Sequence, residues 1–190
     1  MKIWLTGGSG SGKSVLARLF SENGFRIVDA DKIAREIASP GESALSEIIE
    51  TFGLAYLLPD GTLDRKKLAN AVFMDKEKLA ALNRITHTYI IEEMCRQAAG
   101  EKNVVFDAPL RNTFGIPCDK TVFVSAPASL RIARIMERDG LSRAEAAKRI
   151  EAQDEDALYA AEADVTLLND GDIASLRAKT EHYIKDWFTS

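Results

Sequence analysis

Residues 7 to 14 read Gly-Gly-Ser-Gly-Ser-Gly-Lys-Ser: a glycine, four residues, a second glycine, then lysine and serine. They follow a short apolar run and open a helix-like stretch, the context in which such a loop wraps phosphates. Glycines let the backbone curl until successive amides converge on phosphate oxygens, and the helix N-terminus adds partial positive charge. Gly8, Ser9, Gly10, Ser11, Gly12, Lys13, Ser14 and Val15 are thus the candidate nucleotide-binding residues. Lys13 bridges the β and γ phosphates, and the Ser14 hydroxyl offers an oxygen to Mg2+. The chemistry is that of a nucleoside triphosphate; the loop alone leaves open where the γ phosphate goes.

Carboxylates stand where parallel strands present their ligands. Asp29 and Asp31, in Val-Asp-Ala-Asp, follow one apolar run, and Asp107 closes another. Asp31 is the candidate for facing an acceptor hydroxyl, as an orienting group or general base; Asp29 reads better as a solvated or capping residue. Asp107 is placed to hold magnesium or orient the incoming group. Arg131, Arg134 and Arg138 are spaced three and four apart, one face of a helix, where like charges cost stability unless an anion neutralises them. Arg138 is the first candidate for steadying a transferring phosphoryl group and Arg134 the second. Arg35, one helical turn beyond Asp31, and Arg65 suit a phosphate of the acceptor. His87 is either a packing histidine or an acceptor contact, and His182 reads as a surface residue.

Five apolar runs, at 2–6, 25–29, 103–107, 120–124 and 164–168, are continuous enough for strands covered on both faces. Helical patterns between them predict an α/β layer fold, a five-stranded parallel sheet flanked by helices. Gly24 is expected to stop the first helix. Ser39 is expected to cap the next, with Pro40 at its first position, Glu42 completing the capping box, and Leu45, Ile48 and Ile49 facing inward. From Asp64 to about Ala99 the pattern stays helical, with Leu68, Val72, Leu79, Leu82, Ile85, Tyr89 and Ile90 as candidate core. Residues 61–99 are therefore expected to form a helical insertion and residues 127–156 a pair of lid helices, the second capped by Ser142 and Glu145. The final helix carries Leu176, Tyr183, Ile184 and Trp187 as core; the whole chain reads as one domain.

The 190 residues carry 25 Lys and Arg against 29 Asp and Glu, a formal charge of -4, which disfavours a nucleic-acid partner. The Met1 segment reaches glycines too soon for a signal peptide, and no apolar run approaches the roughly 18 residues a bilayer requires. Cys95 and Cys118 show no metal or redox spacing and are expected to be buried reduced thiols, which suits the cytoplasm. A GTPase would show an Asn-Lys-x-Asp base reader, and helicase or transporter ATPases use longer chains. A small-molecule kinase is favoured on those grounds.

At this point the chain resembles the bacterial dephospho-CoA kinase family over nearly its whole length. The resemblance rests on LTGGSGSGKS, VDADKIAREI, SPGESAL, DGTLDRKKLANAVF, the histidine in NRITHTYI, VVFDAPL, RIARIMERDGLSRAEAAKRIEAQ and ADVTLLNDG. It implies a P-loop kinase fold with a helical acceptor-binding insertion and a helical lid, and transfer of phosphate from ATP to the 3′-hydroxyl of dephospho-CoA. The resemblance implies Asp31 and Arg138 as catalytic residues, Arg35 and His87 on the acceptor, and Asn169 and Gly171 beside the adenine; the residues themselves add Lys13 to the catalytic set, Arg65 and Asp107 to the acceptor set, and Ser14 and Asp107 for Mg2+. A monomer is expected. Three departures stand out: Arg111 and Asn112 replace apolar residues, Thr88 follows His87 where proline is usual, and Arg131 stands where glutamine is common. A kinase of another small alcohol or nucleotide, and a non-catalytic nucleotide-binding module, are the competing readings.

Overall fold

The computed structural model describes residues 1–108, 114–152 and 156–189. Arg111 and Asn112 lie outside the described residues. The strands are β1 (Lys2–Thr6), β2 (Arg26–Asp29), β3 (Val104–Asp107), β4 (Lys120–Ser125) and β5 (Val165–Leu168). The helices among the described residues are α1 (Lys13–Glu22), α2 (Ala30–Glu36), α3 (Ser43–Phe52), α4 (Arg65–Phe73), α5 (Lys76–Ala98), α6 (Ala128–Asp139), α7 (Arg143–Glu151), α8 (Asp156–Glu162) and α9 (Ile173–Thr189).

The chain folds as two compact units, residues 1–28 with 100–190, and residues 29–99. In the first, the strands form one parallel sheet in the order β2-β3-β1-β4-β5. Central β1 is flanked on both edges, with Leu5 opposite Asp107 on β3 and Val122 on β4. That position fits Ile3, Trp4 and Leu5 being all apolar and all fully buried: β1 has no free edge, and α1 packs on it. Helix α1 packs on β1 and β3, α8 on β4, and α9 on α1 and β5. Leu16, Leu19 and Phe20 of α1 join Leu176 and Ile184 of α9 in the core, and the Phe20 ring stacks on Trp187, with centroids 6.4 Å apart. Gly24 follows the end of α1, as read from the sequence.

In the second unit α2, α3 and α4 pack against α5 around Ala38, Ile48, Leu68, Val72 and Ile85. Aspartates begin three of its helix boundaries. Asp29 caps α2 by accepting from the Lys32 amide, Asp64 caps α4 through Lys67, and Asp75 caps α5 through Glu77 and Lys78.

Several expectations require correction. Ser39 is not a helix cap: its carbonyl accepts from the Glu42 amide in a turn, and α3 starts at Ser43 with Glu42 as N-cap. Gly41 at φ 92 cannot continue a helix, so the start is displaced beyond it. Leu79 is exposed, because it sits in the first turn of α5, ahead of the part that meets the other helices of the unit. Cys95 is exposed and Cys118 half-buried; Cys95 falls on the outer side of α5, between buried Met94 and Ala98. Helix α8 was not anticipated.

Candidate active site

Thr6 ends β1 and Lys13 starts α1, so the phosphate loop spans the sheet edge and a helix N-terminus. Gly12 is the N-cap of α1 at φ 98, with no side chain bonded to the first turn and no acidic residue in it. The positive end of α1 is therefore left to face an anion. Gly12 must be glycine for two reasons: its backbone is left-handed, and an added Cβ would stand 2.1 Å from Asn169 Nδ2.

The loop's carbonyls are held from outside it. Asn169 Nδ2 donates to the Ser11 carbonyl at 2.8 Å, and Arg134 Nη1 donates to Gly10 O at 3.2 Å and Ser11 O at 3.4 Å. Asn169, just beyond β5, is buried. At the opposite side of the loop Lys13 Nζ donates to Asp107 Oδ1, forming an ion pair at the carboxyl end of β3. The first unit thus brings together Lys13, Asp107, Arg134 and Asn169, four residues drawn from separate stretches of sequence.

Beside the loop lies a cavity of about 650 Å³ lined by Gly12, Val15, Arg134, Asn169, Gly171 and Leu176, among others. Its walls are mostly apolar with a few polar groups, the composition of a small-molecule site. Asn169 and Gly171, which the resemblance sets beside the adenine, both line this cavity.

Arg138 ends α6. Its Nε and Nη2 each donate to Asp139 at 2.8 Å, and Nη2 lies 3.4 Å from Ser9 Oγ. Asp139 also accepts from Arg149 of α7 at 2.7 Å, tying the two helices together. Hydrogen bonding to Arg138 holds the Asp139 carboxyl below its ordinary value, and the same bonds raise Arg138, so the pair stays ionised over the whole neutral range. Ser142 and Glu145 form the expected capping box at the start of α7.

The second unit carries the acceptor candidates. Asp31 is exposed in the first turn of α2, and Arg35 is exposed in its last turn, one helical turn away. Arg65, at the start of α4, donates through Nη2 to the carbonyls of Ala34 and Arg35 at 3.2 and 3.0 Å, satisfying two orphan acceptors at the end of α2. His87 is half-buried on α5, and burial lowers its pKa below 6.5, so its imidazole is neutral at pH 7.

One pairing at the loop, Arg131 with Asp156, escaped the sequence reading. Arg131 was read as one of three cations on a helix face needing an anion; instead it is buried, with 4% of its surface exposed. Its Nη1 pairs with Asp156 Oδ2 at 2.8 Å and its Nε donates to Ser9 O at 2.9 Å. The three arginines are thus answered by two aspartates and by loop carbonyls. Nothing in local sequence marks Asp156 as the partner, because the pairing joins residues 25 apart.

A dephospho-CoA kinase family model matches residues 1–175. The chain belongs to the dephospho-CoA kinase family. It is 41% identical to dephospho-CoA kinase of Corynebacterium efficiens over 196 aligned positions, covering 100% of this chain and 98% of that one. Among solved structures it is similar to TT1252 from Thermus thermophilus, with a TM-score of 0.77, 30% identity, and 98% and 97% of the two chains covered. Dephospho-CoA kinase from Campylobacter jejuni superposes with a TM-score of 0.60 at 28% identity, over 97% and 96% of the two chains. As in that family, the chain combines a P-loop sheet with helical insertions.

Proposed function

We propose that this dephospho-CoA kinase family member transfers the γ phosphate of ATP to the 3′-hydroxyl of dephospho-CoA, giving CoA and ADP. The family match along nearly the full chain carries this reading, and the Lys13 and Asp107 pair at the phosphate loop supports it. The chain is an ATP-dependent phosphotransferase with an alcohol acceptor.

ATP would lie with its phosphates on the loop amides of residues 8 to 14 and its base in the cavity beside Asn169 and Gly171. Lys13 exchanges Asp107 for phosphoryl oxygens as the triphosphate enters, bringing its charge to the group in transfer. Ser14 Oγ and the Asp107 carboxylate, on either side of Lys13, are hard oxygen donors that would hold magnesium. When bound it would neutralise phosphate charge. Asp31 accepts a hydrogen bond from the acceptor hydroxyl and aligns it in line with the γ phosphorus; Arg35, Arg65 and neutral His87 hold the rest of the acceptor. Arg138 swings from Asp139 onto the charge that develops in transfer, while the lid helices exclude water that would otherwise hydrolyse ATP. The same reading has the protein working as a cytoplasmic monomer, free of nucleic acid and membrane. No helix among the described residues is long and apolar enough to cross a bilayer.

The test is magnesium-dependent ADP formation with dephospho-CoA set against adenosine, a nucleoside monophosphate and shikimate, the CoA product being confirmed by mass. Turnover is expected with dephospho-CoA alone, and Asp31→Ala is expected to lower kcat about 10²-fold or more. Turnover with another alcohol instead would overturn the acceptor assignment.

A further inference from the structure

Arg131 is the most buried cation described in the first unit, and the loop is built around it. An added Cβ on Gly10 would stand 2.7 Å from the Arg131 carbonyl oxygen, and one on Gly8 would stand 2.2 Å from Arg131 Nη2. Both glycines flanking Ser9 are thus in close contact with the same arginine. Its Nε takes the Ser9 carbonyl, and its Nη1 is fixed by Asp156. Its Nη2 and Asp156 Oδ1 are buried without hydrogen-bond partners.

A buried guanidinium with an unsatisfied donor is costly, so its retention against the loop calls for a role. A trans peptide points its C=O and its N–H to opposite sides. Drawing the Ser9 carbonyl onto Arg131 therefore turns the Gly10 N–H, the other end of the same peptide, away from α6 and toward the inside of the loop. Arg134 and Asn169 act alike on the two following carbonyls. Arg131 differs from them in being ion-paired and clear of the cavity beside the loop.

We propose that the Arg131 and Asp156 pair is a positioning device for ATP phosphates, setting the Ser9–Gly10 peptide so that its amide faces the phosphate chain. Asp156 acts only through Arg131, by fixing the guanidinium plane. The proposal rests on the reading of this loop as the seat of the ATP phosphates.

Calorimetric titration with Mg·ADP, paired with steady-state kinetics and thermal melts, tests it in Arg131→Ala, Arg131→Lys, Asp156→Asn and the Arg131→Ala/Asp156→Asn double variant. Arg131→Lys keeps the charge beside Asp156, but its single nitrogen cannot serve Asp156 and Ser9 together, so it supplies the measurement even if the alanine variant does not fold. Expected are a rise of about tenfold in the ADP Kd and ATP KM for both Arg131 variants, with the KM for dephospho-CoA held within about twofold. Asp156→Asn raises the ADP Kd on its own but changes it by less than about twofold when added to Arg131→Ala, or to Arg131→Lys should the alanine variant not fold. Variants with lowered melting temperatures and wild-type ADP affinity would show a purely structural pair and overturn the proposal. So would an Asp156→Asn effect of equal size with and without Arg131. Failure of the wild-type protein to bind Mg·ADP would instead sink the reading of the loop itself.

Discussion

Asn169 shows how one side chain does two jobs. It holds the Ser11 carbonyl and it walls the cavity beside the loop. Asn169→Ala should raise the ATP KM about tenfold, the worth of a buried hydrogen bond, and leave kcat at saturating ATP nearly unchanged; initial rates over an ATP series read the split. His87 yields a pH prediction. Burial depresses its folded pKa below 6.5, so between that folded value and 6.5 the unfolded chain binds more protons. Its contribution to stability is full above about pH 6.5 and is lost as pH falls through the folded pKa. In His87→Gln, melting temperatures recorded from about pH 7.5 to about pH 5 should decline less steeply than in the wild type. At this scale the sequence was informative about what a residue type can do, and silent about partners. Lys13, Asp107 and Asn169 were picked out as site residues from loop, strand-end and family pattern, and they do gather at the loop. Arg131 looked like its neighbours Arg134 and Arg138, because burial of a cation depends on a carboxylate that folding brings from elsewhere.

Elements read well wherever the signal was local. The strands are continuous apolar runs of branched and aromatic residues, and each observed strand falls within one residue of its expected ends. The Ser142 capping box was visible because all its atoms lie within one helical turn. The similar-looking Ser39 box failed, since Gly41 inside it takes a left-handed backbone and the chain makes a turn before the helix begins. Helix α8 has only seven residues, too short for a periodic pattern to stand out; packing of Tyr159 against Phe123 holds it in place. Ser142→Ala should remove about 1 kcal/mol of stability and speed amide exchange over residues 143–151, with the rest of the protein unchanged. Exchange followed by mass spectrometry would locate the effect.

On the scale of the whole molecule, the candidate site residues are divided between two folding units. The phosphate loop, the cavity and the lid arginines belong to the unit built on the sheet, whereas Asp31, Arg35, Arg65 and His87 belong to the unit of residues 29–99. Sequence patterning revealed helices over 64–99 but gave no sign that α2 and α3 join them, because that membership is decided by shared packing on α5. Saturating ADP is expected to slow amide exchange mainly at residues 8–16 and 169–176, and dephospho-CoA mainly within 29–99; protection of the same peptides by both ligands would contradict the division.

The second unit is also one uninterrupted stretch of chain, entered once after β2 and left once before β3. Those two strands are neighbours in the sheet, so the whole of residues 30–99 is a single crossover connection grown large. Recombination between kinases built this way has only two joints to match. On the proposed assignment, Asp31, Arg35, Arg65 and His87 can be exchanged together as one cassette, while the other strands and the phosphate loop keep every residue they had.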